Sequence, residues 1–184
     1  MSDHPGSRQH TGPLGGAADY LKASYIKRWG IVNAPPQSIA EHQYRVWTLV
    51  RQWGPRIKLE ATHQELAEEW ALVHDLAEIR TGDAPTPHKT PEIKSWLQGV
   101  EHEVYPPIRM LESSIAGTDA ATFCKFCDTA ESILYLKLHG IGKHATDVQE
   151  LLSQQLRSRL KSSSLSDDKC QILLELFCDA YHQS

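Results

Sequence analysis

Two imidazoles and two carboxylates follow one another along this chain in an order that suits a divalent transition metal. They are His42, then the adjacent pair His74 and Asp75, then Asp128. Drawn from three helices, such a set would leave coordination positions open for water or a phosphate oxygen. The stretch "ALVHDLAEIRTGD" (residues 71–83) carries the densest part of it. Read as a continuous helix at about 100° per residue, it sets Asp75 about 100° and Glu78 about 40° from His74, so the three share one sector. The rest of the stretch, Ala71, Leu72, Val73, Leu76, Ala77 and Ile79, would suit a core. Buried charges are costly unless they are paired or bound to a metal, so this sector faces water, finds partners or lines a site.

Each residue taken singly has a plainer reading. His42 falls on the apolar stripe Ile39, His42, Val46, Leu49 and Trp53, where a satisfied core histidine is common. Arg28 is in line with Leu21 and Tyr25 on an inward face; a guanidinium there wants an anion, which a structural ion pair would also supply. Glu78 reads as a rim carboxylate, Asp83 as a turn residue in "RTGDAPTPHK" and Lys89 as a solvated loop charge. Asp128 lies off the main stripe of its helix (Phe123, Phe126, Cys127, Ala130, Leu134), beside Cys124, Ser132 and Tyr135, and periodicity alone makes it exposed.

Helical periodicity recurs from residue 17 to the end, with no convincing alternating strand, and gives an all-α bundle. The first helix is read over about 17–30. "SIAEHQYRVWTLVRQWG" opens with Ser38 and Glu41 as a capping box and closes at Gly54; Thr62 and Glu65 give "THQELAEEW" a second box. Thr90 caps a helix with Pro91 at its first position, and Pro106 and Pro107 should split it. Three more helices are expected over about 119–139, stopped by Gly140, then 143–161 and 167–182. Residues 1–16 read as a flexible tail without the apolar core of a secretory leader, and 17–184 as one domain.

The composition bounds the classes. A chain of 184 residues with 40% hydrophobic and 23% charged residues suits a globular domain with a real core. A net charge of −4 argues against a nucleic-acid-coating protein but leaves room for a few cations at one anionic site. No run of 18 apolar residues offers a membrane span, and a cytoplasmic setting is expected. "CKFC" has no second C-x-x-C to complete a zinc cluster, so Cys124, Cys127, Cys170 and Cys178 read as buried free thiols.

The metal-type order, together with "IKRWG", "EHQYRV", "ALVHDLAEIRTGDAPTP" and "KFCDTAESILYLKLHG", resembles the HD-domain phosphohydrolases. Within that superfamily it resembles both the bacterial 5'-deoxynucleotidases and the dATP triphosphohydrolases of 2-aminoadenine phages. The matching segments span about residues 17–140. The resemblance implies an HD-domain helical bundle with His42, His74, Asp75 and Asp128 as metal ligands and Glu78 as the catalytic carboxylate. It implies phosphate contacts from Arg28 and Lys89, with Lys125 as a further candidate, and a sugar site around Trp29 and Asp83, with Pro87 in the same substrate loop. Ile31 falls where the dATP-specific branch sets a side chain against the purine edge; its plainer reading is a core residue just after the first helix. The implied cofactor is Zn2+, Co2+ or Mn2+, with Mg2+ on the substrate phosphates. The expected partner is dATP, split into deoxyadenosine and triphosphate to deplete dATP while 2-aminoadenine enters phage DNA, in the host cytoplasm. A closed homo-oligomer, a dimer or hexamer, is expected, with no nucleic acid or membrane as partner. The alternatives are a 5'-deoxynucleotidase acting on monophosphates and, in another class, a helical binding module with a vestigial site.

Overall fold

Ser38 and Glu41 close the expected capping box. The Ser38 hydroxyl accepts from the Glu41 amide at 3.1 Å, and the Glu41 carboxylate takes the Ser38 N–H at 2.6 Å. These reciprocal bonds satisfy donors that a helix start leaves open, and they fix the entry of the helix that carries His42. The computed structural model describes residues 13–83 and 90–184. Its elements are α1 (Ala17–Tyr20), a 3₁₀ turn (Leu21–Ser24), β1 (Lys27–Arg28), β2 (Gln37–Ser38), α2 (Ile39–Trp53), α3 (Ala61–Val73), α4 (Glu78–Thr81), α5 (Pro91–Val104), α6 (Pro107–Ile115), α7 (Asp119–His139), α8 (Gly142–Lys161) and α9 (Asp167–Gln183).

Among the described residues the bundle is all-α apart from one ribbon of two two-residue strands, and α7 is its axis. Helices α2, α3, α6, α8 and α9 pack around α7, which buries 12 of its 21 residues. The main core joins Trp53, Trp70, Phe123 and Phe126 with Val46, Val50 and Ile108. Pro106 and Pro107 separate α5 from α6 as expected, and the Thr90 hydroxyl accepts from the Ile93 amide at the start of α5. Most of the expected tail lies outside the described residues. Near its end, the Leu14 N–H donates to the Val104 carbonyl at 2.9 Å.

Four expectations are corrected. The first helix does not run to residue 30: it ends within two turns, and Lys27–Arg28 pairs antiparallel with Gln37–Ser38. The Ile26 carbonyl accepts from the Ile39 N–H, so pairing with the returning chain overrides local helix propensity. Leu21 and Tyr25 are consequently exposed, and Arg28 turns inward from a strand rather than from a helix face. Thr62 and Glu65 form no box, because α3 begins two residues early, with Glu60 as N-cap, and leaves Thr62 inside the first turn. The helix through residues 71–83 stops at Val73, where His74 is the C-cap, and resumes as α4 at Glu78; Leu72 faces solvent. Finally, Cys124 and Cys127 are buried free thiols, but Cys170 is half-buried and Cys178 exposed.

Candidate active site

The α3–α4 junction is wound more tightly than an α-helix. Leu76, Glu78, Ile79 and Arg80 each donate to the carbonyl three residues back. Gly82, at φ 72°, then turns the chain toward Asp83 in a conformation that a Cβ disfavours. From this junction His74 and Asp75 meet His42 of α2 and Asp128 of α7.

Four side chains converge there. The His42 Nε2 lies 3.2 Å from Asp128 Oδ1 and 3.5 Å from Asp75 Oδ2. The His74 Nε2 lies 3.4 Å from Asp75 Oδ2 and 3.9 Å from Asp128 Oδ1. Ligand atoms of His42, His74 and Asp128 all fall within 4.8 Å of one another, the spacing of a group able to hold one metal ion. Both Nε2 atoms are buried and make no hydrogen bond. The opposite ring nitrogens explain why. His74 Nδ1 faces the Ala71 carbonyl at 3.1 Å, and His42 Nδ1 faces Glu131 Oε2 at 2.6 Å. A carbonyl and a carboxylate both accept, so each Nδ1 carries the proton and each Nε2 presents its lone pair to the cluster. This is the arrangement by which outer carboxylates and carbonyls orient metal-binding imidazoles, and the donor set fits a divalent ion such as zinc.

The electrostatics agree. Burial and the Arg28 charge push the His42 imidazole down, and the Asp128 and Glu131 carboxylates overcome both and raise it. His74 is held below its ordinary value, chiefly by burial. Burial would raise Asp75 and Asp128, but the two imidazoles draw both carboxyls below the usual range. The pocket thus stabilises positive charge between its carboxylates.

A wide cleft of about 530 Å³ opens on the cluster and is lined by His74, Asp75, Glu78, Lys94, Ser95 and Lys125, among others. The Lys125 ammonium sits 4.4 Å from the centre of the Trp70 ring. A second, narrower pocket is lined by Arg28, Trp29, Ile31, Asp83, Ser132 of α7 and, from α8, Val148 and Leu151. Trp29 has φ 70°, unusual for a bulky residue; its indole stacks on Tyr135 at 5.9 Å with the rings 4° from parallel. Strain of this kind persists where surroundings over-determine it, commonly at binding sites.

An HD-domain model matches residues 18–106. The dATP triphosphohydrolase of Cyanophage S-2L is 54% identical over 146 residues, covering 79% of this chain and 83% of that protein. The chain belongs to the HD-domain phosphohydrolases. A second relative, the dATP triphosphohydrolase of Salmonella phage PMBT28, is 30% identical over 154 residues, 77% of this chain and 76% of that one. Among solved structures, the Cyanophage S-2L HD phosphohydrolase bound to dA and one catalytic Zn2+ superposes with a TM-score of 0.90 at 47% identity, covering 94% of this chain and 99% of that one. A Listeria innocua HD-domain phosphohydrolase shares the fold, with a TM-score of 0.66 at 18% identity over 91% of this chain and 88% of that one. This HD-domain phosphohydrolase is accordingly a hydrolase, and among the described residues it has no helix long and apolar enough to cross a membrane.

The structure brings His42, His74, Asp75 and Asp128 into one cluster. It sets Glu78 and Lys125 on the wide cleft and Arg28, Trp29, Ile31 and Asp83 on the narrow pocket. Lys89 and Pro87 lie outside the described residues. Asp128 is not on an outer face: the side of α7 that it shares with Cys124, Ser132 and Tyr135 faces the site, because α7 is enclosed by other helices. Ile31 is 47% exposed at the narrow pocket and is not a core residue. Sequence reasoning missed Gln37 and Glu131, which are 1% and 2% exposed. A signal for Glu131 existed: it stands four residues after Cys127 on the apolar stripe of α7, where a carboxylate requires partners.

Proposed function

We propose that this enzyme hydrolyses dATP to deoxyadenosine and triphosphate, with one divalent metal ion, zinc, held by His42, His74, Asp75 and Asp128. The observation that carries the metal is the pair of buried Nε2 lone pairs facing two carboxylates. Two cavities of different character, the wide cleft on that cluster and the narrower pocket beside Arg28, support a substrate with an apolar-contacting nucleoside at one end and a polyanion at the other. The names of the two phage relatives support dATP as that substrate. A divalent ion bound there lowers the pKa of water and polarises phosphoryl oxygens.

The chain's own residues supply the rest. The base and sugar occupy the narrow pocket against Trp29 and Ile31, with Asp83 toward the sugar. Packing of the indole against the deoxyribose leaves no room for a 2'-hydroxyl. Glu78, on the wide cleft, orients the attacking water and accepts its proton. Attack at the α-phosphorus breaks its bond to the 5'-oxygen, which leaves protonated as deoxyadenosine, and triphosphate departs through the wide cleft. Arg28 and Lys125, with Lys89, offset phosphate charge as it redistributes. The size of the cleft, within the range of pockets that enclose whole ligands, favours a triphosphate over a monophosphate. The role that suits such a reaction is removal of adenine from the deoxynucleotide pool of a host cytoplasm during synthesis of 2-aminoadenine DNA. Exposed Tyr25, Trp96, Met110 and Ile141 supply apolar surface for a homo-oligomer, a dimer or hexamer.

Product analysis tests the reading. Incubation with dATP in heavy-oxygen water should give deoxyadenosine and triphosphate, with the label on triphosphate. Release of dADP or dAMP would overturn it, and turnover of dAMP far above that of dATP would assign the enzyme to the 5'-deoxynucleotidases.

A further inference from the structure

The narrow pocket and the His42 imidazole share a buried polar link that the reaction above does not use. We propose that Gln37 is a positioning residue: through Glu131 it holds the Trp29 wall of the narrow pocket and the metal-facing His42 in one hydrogen-bonded unit. The inference rests on the reading that His42 binds the metal and that the narrow pocket takes the nucleoside.

Every polar atom of the Gln37 side chain is engaged. Its Nε2 donates to Glu131 Oε1 at 2.7 Å, and its Oε1 accepts from Trp29 Nε1 at 3.0 Å and from Arg28 Nη1 at 3.2 Å. The other Glu131 oxygen, Oε2, takes the His42 Nδ1 proton at 2.6 Å and lies 3.5 Å from Arg28 Nη1. The amide has one orientation only, since a flip would aim its carbonyl at a carboxylate and its NH2 at two donors. Pairing of Arg28 with Gln37 across the β-ribbon places both over α7, where Arg28 Nη2 also donates to Ser132 at 3.2 Å. Trp29 is held in its left-handed conformation by the bond to Gln37, by the stack on Tyr135, whose hydroxyl donates to the Pro35 carbonyl at 2.8 Å, by the Arg28 guanidinium 5.1 Å from its ring centre, and by the Val32 N–H that donates to its carbonyl at 3.0 Å. Without Gln37 the indole N–H loses its acceptor, the Arg28 guanidinium against the same ring loses one too, and the Glu131 carboxylate that orients His42 loses one of its fixed donors. A fully satisfied buried network of this kind holds a unique geometry, and a partly satisfied one does not.

The test uses full-length protein in three forms: Gln37→Met, Glu131→Gln, and the double variant Gln37→Glu with Glu131→Gln. Zinc affinity is read by competition with a chromophoric chelator, deoxyadenosine affinity by calorimetry on zinc-loaded protein, and integrity by thermal unfolding. Gln37→Met fills the same volume without polar atoms. It should weaken zinc about tenfold, as loss of an outer partner does, and weaken deoxyadenosine by a similar factor. Glu131→Gln turns one NH2 toward another and should lose both affinities as well. The double variant restores the pattern: the new amide at position 131 accepts from His42 and donates to the new carboxylate at position 37, which accepts from Trp29 and Arg28. It should regain deoxyadenosine affinity and most of the zinc affinity. Wild-type affinities in Gln37→Met would overturn the inference, as would a double variant no better than the weaker single, a result that also decides the matter if Gln37→Met fails to fold. A wild type that takes up no zinc would overturn the metal centre itself and this inference with it; zinc bound equally by wild type and Gln37→Met overturns the inference alone.

Discussion

His74→Ala separates the metal from the scaffold when each protein is compared with itself, with and without zinc. The imidazole stacks on Trp70 with ring centres 4.2 Å apart, a contact worth about 0.5–1.5 kcal/mol beyond its buried area. Its Nδ1–H bond to the Ala71 carbonyl adds about 1 kcal/mol. Against these stands the buried Nε2 without a hydrogen bond, a penalty of about 1–3 kcal/mol that alanine removes. These three contributions cancel to within about 2 kcal/mol, and the cavity left by the buried imidazole adds a destabilisation that is present with and without metal. Zinc behaves differently. At a free concentration 100 times its Kd it adds about 2.7 kcal/mol, or about 5–11 °C in Tm at about 2–4 °C per kcal/mol for a chain of this length. A variant lacking one ligand binds far too weakly to gain that increment at the same free zinc. Differential scanning calorimetry in zinc-buffered and chelator-treated solutions, with metal content measured in parallel, reads both effects. The expected result is a zinc-dependent shift of this size in wild type and none in His74→Ala, whose chelated melt lies below that of wild type by the cavity cost. A His74→Ala protein that keeps the shift and one equivalent of zinc would refute the ligand assignment.

Glu78→Ala should keep its zinc while kcat falls by roughly two to four orders of magnitude, the usual loss for an acid–base group; a variant that loses metal instead would move Glu78 into the ligand set. Arg28→Met removes hydrogen bonds to Gln37 and Ser132 along with a cation at the phosphates. It should lower kcat/KM for dATP by roughly 10- to 100-fold, from about 1.5–3 kcal/mol for a charge-assisted bond, and an unchanged kcat/KM would remove Arg28 from the site. Ile31→Ala should raise activity on dGTP and 2-amino-dATP relative to dATP by roughly 10- to 100-fold, since the β-branched side chain clashes with an amino group at purine C2 and leaves it without a partner. Its half exposure predicts an unchanged Tm, and an unchanged substrate ratio would show that it does not read the base.

The long helices were legible because their signals are local. The Ser38–Glu41 box, Pro91 after Thr90, the Pro106–Pro107 break and Gly140 each act within a turn of where they stand. The first helix was misjudged because its end is set by a partner ten residues away. Ile39 and Ser38 capture the backbone around Ile26 and Lys27, and no window of residues 17–30 contains that information. Asp128 illustrates a different limit. Periodicity separates apolar from polar faces, but α7 is enclosed on nearly every side, so its polar face is a site wall rather than a surface. Order in the sequence found His42, His74, Asp75 and Asp128, whereas Gln37 is an ordinary polar residue until the ribbon pairs it with Arg28.

The expected sector holding His74, Asp75 and Glu78 rested on a uniform α-helix, and the true geometry is better suited to chemistry. Bonds from Glu78 to Asp75 and from Leu76 to Val73 close turns of three residues. At three residues per turn, side chains at i and i+3 eclipse, so Glu78 stands in line with Asp75 instead of drifting toward His74. Asp75 then reaches both imidazoles while Glu78, one turn on, borders the wide cleft beside Lys125. The His74 ring is left against Trp70, the single, fully buried indole of α3. A continuous α-helix would have brought Glu78 closer to the histidine than to the aspartate, crowding a fifth donor toward the proposed ligands. The tighter winding separates the two proposed tasks, binding the cation and handling the proton, along one short stretch of chain.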